Sequence, residues 1–460
     1  MEVNIESLFP SIRQGGLATG EEDLINSTYV GIDFGTSTTV VSVAHFDVES
    51  KKIITEPLWL NQKLEDGTIL SNEKVPTVIA WRNQNLLIGT GAANLKFELK
   101  KGKNVWYSFK MELGEDHGAM YYQSELDGNN GAYKIINPID AAKIFFQYLN
   151  AQIKRHVSEK GLSTNIKYAV SIPASFEANQ RRELIEALEH NGMRLNSQSL
   201  IDEPNAAFLS YVQNASEEGN SIYIPEDHYP NLLVFDFGAG TCDISILELG
   251  NNLNGVYSKN LSISRFEKLG GDDIDRLIAI ELLFPALLNE NNLTAEDFLT
   301  PEKRRIIQRL LKPAEELKIE ICQDIALKMH ERILPETASS EEFVSLGGVI
   351  TIDTNKHGKI TLTKPKISYA QFHEVMKHFL RTDYINPYRT EIVEGEFSSV
   401  FSPIETALNK AGIDRDDIDY VLFIGGSSKN PYVQAALKNY FSESELLIPR
   451  DLQTHVSEGA

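Results

Sequence analysis

Short apolar runs alternate with amphipathic stretches along the whole chain of 460 residues. Runs rich in apolar and β-branched residues, such as Ile166–Ile172 and Tyr420–Ile424, are too short for buried helices and predict strands. Further strands are predicted at Lys51–Leu60, at Val75–Trp81 and within Phe343–Leu362. Helical spacing of apolar positions predicts helices at Ile139–His156, Ala178–Gly192, Arg276–Leu288, Arg304–Ile321, Tyr369–Leu380 and Pro403–Ala411. This mixture indicates an α/β protein with at least two lobes.

One strand–turn–strand pattern occurs twice, in Tyr29–Phe46 and in Leu232–Leu249. In each segment an apolar run ends at an acidic residue, a turn of small residues follows, and an apolar or β-branched run resumes. Taken singly, each segment is as typical of an ordinary hairpin with a glycine turn as of a ligand-binding turn. The separation far exceeds the periods of repeat arrays, so the repetition predicts two related lobes. Two such turns facing one cleft can hold a polyphosphate, because glycine amides approach phosphate oxygens closely and carboxylates suit a hydrated Mg²⁺ ion.

Composition and pattern together divide the chain into an extension and two lobes. Residues 1–28 are polar and carry several glycines, so we expect a flexible N-terminal extension. We assign residues 29–214 to lobe I. Residues 215–445 form lobe II in this assignment.

Charge and cysteine content exclude several classes of protein. The 44 lysine and arginine residues face 65 aspartate and glutamate residues, giving a formal net charge of −21 that argues against binding to nucleic acid or to an anionic membrane. Cys242 and Cys322 form no CxxC pair, so neither a disulfide framework nor a structural zinc site is expected. The sequence has no basic leader, no apolar run of about 20 residues and no GxxxxGK(S/T) loop. We therefore expect a soluble, cytoplasmic protein that is not a P-loop NTPase.

Five segments in fixed order resemble the nucleotide-binding domain of the heat shock protein seventy (DnaK-type) chaperones. They are Gly31–Ser37, Val170–Phe176, Asp202–Ala207, Asp236–Asp243 and Phe423–Pro431. In turn they are similar to the family's first phosphate loop, its Val-Pro-Ala-x-Phe segment, its Asn-Glu-Pro-Thr-Ala-Ala segment, its second phosphate loop and its adenosine loop. The resemblance covers nearly all of the chain after the N-terminal extension, and several separate motifs carry it.

The resemblance implies the two-lobed actin-like ATPase fold, built from duplicated ribonuclease H-like domains with a nucleotide cleft between the lobes. It further implies that residues 446–460 return to lobe I and that lobe II includes a smaller α+β subdomain near residues 271–366. It implies binding of ATP or ADP with Mg²⁺, K⁺ as a further cation, and slow hydrolysis of ATP to ADP and phosphate. It also implies that the nucleotide state is coupled to lobe movement and to protein partners. These partners would be a co-chaperone, a nucleotide exchange factor and a client polypeptide.

Carried over position by position, the resemblance assigns chemical roles near the phosphates. Asp33 and Asp236 would hold the water shell of Mg²⁺. The implied catalytic residues are Lys110, Glu203, Thr241 and Asp243, with the lysine beside the γ-phosphate and the carboxylates positioning the attacking water and the cation network. Local sequence alone favours a solvated lysine at position 110, and it leaves a helix cap as an alternative for Glu203.

The resemblance also assigns nucleotide contacts and a coupling pair. The phosphates would be lined by Gly35, Thr36, Ser37, Gly238, Ala239, Gly240 and Thr241. The remaining nucleotide contacts would come from Gly270, Gly271, Glu315, Lys318, Ile319, Gly425, Gly426, Ser428, Lys429 and Asp451. Glu315 and Lys318 are spaced i,i+3, as on any amphipathic helix, so a structural role for them stays open. Pro173 and Arg181 match the family's coupling switch.

Two departures from the family pattern keep other functions open. Ala239 replaces the middle glycine of the second phosphate loop, and Lys429 replaces an arginine that stacks on adenine, which removes a planar surface. Both changes are expected to weaken nucleotide affinity. They motivate a non-hydrolysing nucleotide sensor as an alternative, and a small-molecule kinase of the same superfold is a third hypothesis. The family's interdomain linker and peptide-binding domain are expected to be absent from this chain, which would be part of a longer protein or an ATPase that acts through partners.

Overall fold

The structure is a computed structural model, and its architecture is mixed α/β, which confirms the predicted fold class. It describes residues 2–4, 24–116, 118, 121–195, 199–218, 224, 229–252, 255–264, 267–330, 342–393, 395–449 and 456–457. Among these residues, no helix combines the length and the apolar character needed to cross a membrane.

The first half of the chain supplies twelve of the described strands. They are β1 (Glu2–Asn4), β2 (Thr28–Phe34), β3 (Thr38–Asp47), β4 (Lys52–Pro57), β5 (Leu60–Lys63), β6 (Ile69–Asn72), β7 (Lys74–Pro76), β8 (Val78–Arg82), β9 (Asn85–Ile88), β10 (Val105–Tyr107), β11 (Ile166–Ile172) and β12 (Leu200–Asp202). The helices of this half are α1 (Thr90–Ala93), α2 (Pro138–Glu159), α3 (Ala178–His190) and α4 (Glu203–Glu218), with a 3-10 turn at Phe109–Glu112.

The second half contains the remaining described elements. Its strands are β13 (Asn231–Phe237), β14 (Cys242–Asn252), β15 (Gly255–Ile263), β16 (Phe343–Ser345), β17 (Val349–Asp353), β18 (Lys359–Thr363), β19 (Lys366–Ser368), β20 (Tyr388–Arg389), β21 (Glu396–Phe397), β22 (Tyr420–Ile424) and β23 (Glu445–Leu447). Its helices are α5 (Gly271–Ile278), α6 (Phe284–Glu290), α7 (Thr300–His330), α8 (Tyr369–Phe379), α9 (Phe401–Ala411) and α10 (Pro431–Tyr440). A π-helical turn at Ala279–Leu283 joins α5 to α6.

Two sheets with the same strand order form the centres of the two halves. The order β4-β3-β2-β11-β12 in the first sheet matches the order β15-β14-β13-β22-β23 in the second. In both, the first three strands are antiparallel neighbours and the last two add in parallel. Asp33 at the end of β2 therefore occupies the same place as Asp236 at the end of β13. The order agrees with the duplicated lobes that the repeated hairpin predicts.

Each sheet is covered by helices through a buried apolar face. In the first half, α2 presents Phe145 and Phe146 to the sheet, and their rings pack around Phe34 with centroid distances of 6.0 and 4.8 Å. The side chain of Asn137 caps this helix by accepting a hydrogen bond from the backbone of Asp140, and Pro138 occupies its first turn. The predicted helix at Ile139–His156 is therefore confirmed, and it is slightly longer than predicted.

Some predicted boundaries differ from the observed ones. The helix predicted at Arg276–Leu288 is interrupted by the π-helical turn. In the N-terminal extension, β1 pairs with the edge strand β4 in antiparallel fashion. The lobe boundaries proposed above stay a prediction.

Candidate functional site

A cavity of about 620 Å³ is bordered by the ends of β2, β13 and β22 and the turns that follow them. Its volume is within the size range of small-molecule sites. Residues from both halves line it, and so do residues of α5, of α7 and of the turn after β22. The predicted site residues among them are Asp33, Gly35, Thr36, Ser37, Lys110, Pro173, Glu203, Asp236, Gly238, Ala239, Thr241, Glu315, Lys318, Ile319, Gly425, Gly426 and Lys429.

The first predicted phosphate loop is the turn between β2 and β3. A side chain at Gly35 would place its Cβ 2.2 Å from the carbonyl oxygen of Thr38, so the turn requires glycine. The hydroxyl of Thr77 donates to the Gly35 carbonyl at 2.8 Å and fixes the turn from the side. Thr36 and Ser37 then line the cavity.

The second predicted phosphate loop, between β13 and β14, is supported by the Gly-Gly-Asp-Asp stretch at the start of α5. The amides of Gly271 and Asp272 donate to the carbonyls of Gly238 and Ala239 at 3.0 and 2.7 Å. A Cβ at Gly270 would lie 2.1 Å from the Ala239 carbonyl oxygen, so a side chain there would displace the loop. Gly270 and Gly271 therefore act behind the loop and do not line the cavity.

The two loops contact each other at the cavity. A Cβ added at Gly240 would lie 3.3 Å from the Thr36 side chain and 3.0 Å from the sulfur of Met111. Gly425, which follows β22, packs closely against Asp236: a Cβ added at Gly425 would lie 2.7 Å from Asp236 Oδ1. Gly425 also has a φ of +83°, which disfavours any other residue. The structure thus brings together segments that are about 200 residues apart in sequence.

Lys110 and Glu203 form a buried ion pair in the cavity wall, with 2.9 Å between Nζ and Oε1. Lys110 follows Phe109 in the 3-10 turn, and Glu203 is the first residue of α4. The rings of Phe34 and Phe176 lie 5.8 and 5.6 Å from the lysine nitrogen, within cation–π range. This lysine is therefore not the solvated side chain that local sequence favours.

Buried carboxylates accumulate beside this lysine. Burial raises the pKa of Asp33 to about 7, Glu203 adds to the rise, and Lys110 and the Ser171 hydroxyl oppose it. Burial also raises the pKa of Asp236 well above its ordinary value, as do the charges of Glu203, Asp243 and Asp33. When ionised, these carboxylates carry more negative charge than Lys110 can offset. The residues present therefore fit a hydrated divalent cation, because oxygen ligands and uncompensated negative charge are what Mg²⁺ binds.

At the far end of the cavity, α7 presents Glu315, Lys318 and the partly exposed Ile319. Lys318 is fixed by Asp275, 2.8 Å away, and donates to the Gly271 carbonyl at 3.0 Å. Facing α7, the turn after β22 contributes Gly426 and Lys429.

Several predicted residues do not line the cavity. Ser428 is fully buried and donates to the Ile424 carbonyl at 2.6 Å, and Ser427 lines the cavity instead. Asp243 lies behind Thr241, with which it shares a hydrogen bond. Arg181, on α3, pairs with Asp202 at 3.0 Å outside the lining. Asp451 lies outside the described residues, and Gly240, Gly270 and Gly271 hold the second loop as described above.

Besides Ser427, sequence reasoning missed further residues that the structure connects to the site, including four polar ones. Ser171 donates to Asp33 at 3.0 Å, Ser175 donates to Asp243 at 2.7 Å, and Asp275 holds Lys318. The fourth is Gln323, an exposed amide on α7 that lines the cavity. Spacing of four residues from Ile319 on a helix could have indicated Gln323. No local signal identifies which acid a serine at the end of a strand will contact.

A comparison with known proteins agrees with this geometry. The sequence model of the family described as Hsp70 protein matches residues 29–342 and 361–449, more than half of the chain. The matched residues include both hairpin turns, Lys110, Glu203 and the turn after β22. The match supports a chaperone-type, ATP-binding nucleotide-binding domain with the actin-like ATPase fold. The chain belongs to the Hsp70 protein family.

Proposed function

We propose that this chain binds ATP in the cavity and slowly hydrolyses it to ADP and phosphate in a Mg²⁺-dependent reaction. The observation that carries the proposal is the convergence of both glycine turns and the Lys110–Glu203 pair on one cavity. Backbone amides and hydroxyls of the turns would bind the phosphates, and α7 with the turn after β22 would hold the nucleoside.

Asp33 and Asp236 are the residues that would hold Mg²⁺, through its water shell, with K⁺ as a further cation nearby. When bound, the metal offsets negative charge on the phosphates and on these two carboxylates. Both carboxylates face the cavity from equivalent strand ends, and the Ser171 hydroxyl orients Asp33. The raised pKa values of these acids without a cation are the physical sign that they favour one.

The side chains around the phosphates would act mainly by positioning and by charge, since phosphoryl transfer to water needs little covalent help. Lys110 would neutralise the γ-phosphate, and Glu203, already its partner, would keep the ammonium group in the cavity wall. Thr241, oriented by Asp243, and Glu203 would direct a water molecule toward the phosphorus. The rings of Phe34 and Phe176 lie beside the lysine, which is 4% exposed.

Nucleotide-dependent closure of the lobes would report the state of the cavity to partner proteins. We propose a client polypeptide, a co-chaperone and a nucleotide exchange factor as these partners, with Pro173 and Arg181 in the coupling segment and the cytoplasm as the location. Family membership supports this coupling in general terms. The contacts between lobes, described below for Ser175, give it a physical basis.

Replacing Lys110 tests the proposal. Lys110→Ala is expected to bind ATP and lose turnover by at least about 100-fold, because a buried charge at the reacting phosphate is removed. Lys110→Gln keeps a donor for Glu203 and should give the same loss, which guards against a folding defect of the alanine variant. Lys143→Ala removes a surface ion pair with Glu186 and serves as the matched control. ATP binding by calorimetry and phosphate release in single turnover are the measurements, and wild-type turnover in Lys110→Ala would contradict the role.

The nucleotide sensor stays the second candidate, because both departures from the family pattern line the cavity: Ala239 at the second loop and Lys429 at the nucleoside end. A sensor predicts stoichiometric ATP binding without phosphate release. The same two measurements on the unsubstituted chain therefore separate it from a slow ATPase.

A further inference from the structure

The segment Pro173–Phe176, directly after β11, makes a hydrogen bond from one lobe to the other. The hydroxyl of Ser175 donates to Asp243 Oδ1 over 2.7 Å. Ser175 belongs to the first half of the chain, and Asp243 belongs to β14, next to the central strand of the second sheet. This contact therefore joins the two sheets beside the cavity.

Asp243 has a second contact that leads into the cavity. Asp243 is 8% exposed, and its carboxylate shares a hydrogen bond with the hydroxyl of Thr241, which lines the cavity. Since a carboxylate accepts and a hydroxyl donates, both Ser175 and Thr241 point their protons at Asp243. The Thr241 oxygen keeps its acceptor lone pairs, so it can accept a hydrogen bond from a water molecule in the cavity.

The segment itself is fixed on the other side. Arg181 donates from Nε to the Phe176 carbonyl at 3.0 Å and from Nη2 to Asp202 at 3.0 Å. Asp202 immediately precedes Glu203, the partner of Lys110, and the Phe176 ring covers that lysine. The segment that carries Ser175 is therefore fixed by contacts on the Lys110–Glu203 side of the cavity. From there the Ser175 hydroxyl donates to Asp243 in the opposite lobe.

We infer that Ser175 is a positioning residue for ATP hydrolysis: its hydroxyl fixes the Asp243 carboxylate across the lobes, and Asp243 in turn orients Thr241 toward the attacking water. The inference rests on the proposed ATPase function. Ser175 does not line the cavity, so its effect passes through Asp243 and not through contact with the nucleotide. A hydrogen bond to a buried carboxylate is among the stronger ones, and its loss frees the carboxylate to rotate.

The test compares Ser175→Ala with Ser175→Thr, which keeps the hydroxyl. For Ser175→Ala we expect the single-turnover rate of ATP hydrolysis to fall about tenfold, the scale of one charge-assisted hydrogen bond. The dissociation constant for ATP should change by less than about twofold, and Ser175→Thr should restore most of the rate. Ser262→Ala is the matched control, because it removes a buried serine hydrogen bond to the Ala407 carbonyl, far from the cavity.

The outcomes separate this inference from the proposed function. A slow Ser175→Ala variant with intact ATP affinity and recovery in Ser175→Thr supports it. A Ser175→Ala variant that hydrolyses ATP at the wild-type rate overturns the positioning role and leaves the ATPase function standing. An equal loss in Ser175→Ala, Ser175→Thr and Ser262→Ala also overturns it, since general destabilisation would then be the cause. Absence of phosphate release from the unsubstituted chain overturns both proposals.

Discussion

Replacing Asp243 with asparagine removes a buried carboxylate and keeps an acceptor for the Ser175 hydroxyl. Burial raises the pKa of Asp243 to about 6, against 3.8 for an ordinary aspartate; the hydrogen bond from Ser175 opposes the rise and the charge of Glu203 adds to it. The folded chain therefore keeps the carboxyl proton of Asp243 at pH values where the unfolded chain has lost it. The free energy of unfolding falls as the pH rises from 3.8 to about 6, and above this window the loss is complete.

The size of this effect follows from the two pKa values. Each pH unit between the two pKa values corresponds to about 1.4 kcal/mol. Ionised Asp243 therefore destabilises the ligand-free chain by about 3 kcal/mol above pH 6. Asp243→Asn should regain much of this free energy of unfolding, so the variant should be more stable than the unsubstituted chain at pH 7.5. The same variant should hydrolyse ATP poorly, because Thr241 loses a charged acceptor.

Urea unfolding without nucleotide, in the presence of EDTA, measures this prediction at pH 4.5 and pH 7.5. The stability difference between Asp243→Asn and the unsubstituted chain should be large at the higher pH and should shrink at the lower one. Asp416→Asn, at a side chain that is 75% exposed, is the matched control and should show no such pH dependence. A variant that is equally stable or less stable at pH 7.5 would refute the reasoning that burial makes this carboxylate costly.

Two further substitutions test the nucleotide cavity. Gly270→Ala is expected to weaken ATP binding at least about tenfold in calorimetry, because its methyl group would collide with the Ala239 carbonyl and displace the second loop. Gly347→Ala is the control and should leave binding unchanged, since Gly347 has open space around it. Unaltered affinity in Gly270→Ala would show that the loop does not hold the phosphates. Lys429→Arg is expected to tighten ATP binding a few-fold, since a planar guanidinium can stack on the base as an ammonium group cannot. Titration with a fluorescent ATP analogue measures the affinity. An unchanged or weaker affinity would place the base elsewhere.

Much of the fold was predictable because its determinants are local in the sequence. The strands Ile166–Ile172 and Tyr420–Ile424 have the predicted bounds, since a short apolar run between turn residues has few other ways to be buried. The two hairpins with Asp33 and Asp236 were recognisable for the same reason: each is one continuous segment whose turn requires small residues. Family resemblance added Lys110 and Glu203, which local sequence would have assigned to solvent or to a helix cap.

The tertiary structure alone decided which side chains meet. Lys110 and Glu203 are 93 residues apart and Ser175 and Asp243 are 68 apart, so no periodicity relates them. Likewise Ser427 lines the cavity and Ser428 turns into the core, because the 3-10 turn after β22 directs adjacent side chains to opposite sides. The sequence alone determined the strands, the turns and the residue types at the site. Their contacts across the cavity depend on how two separately folded sheets are placed against each other, and that placement is encoded in no single segment.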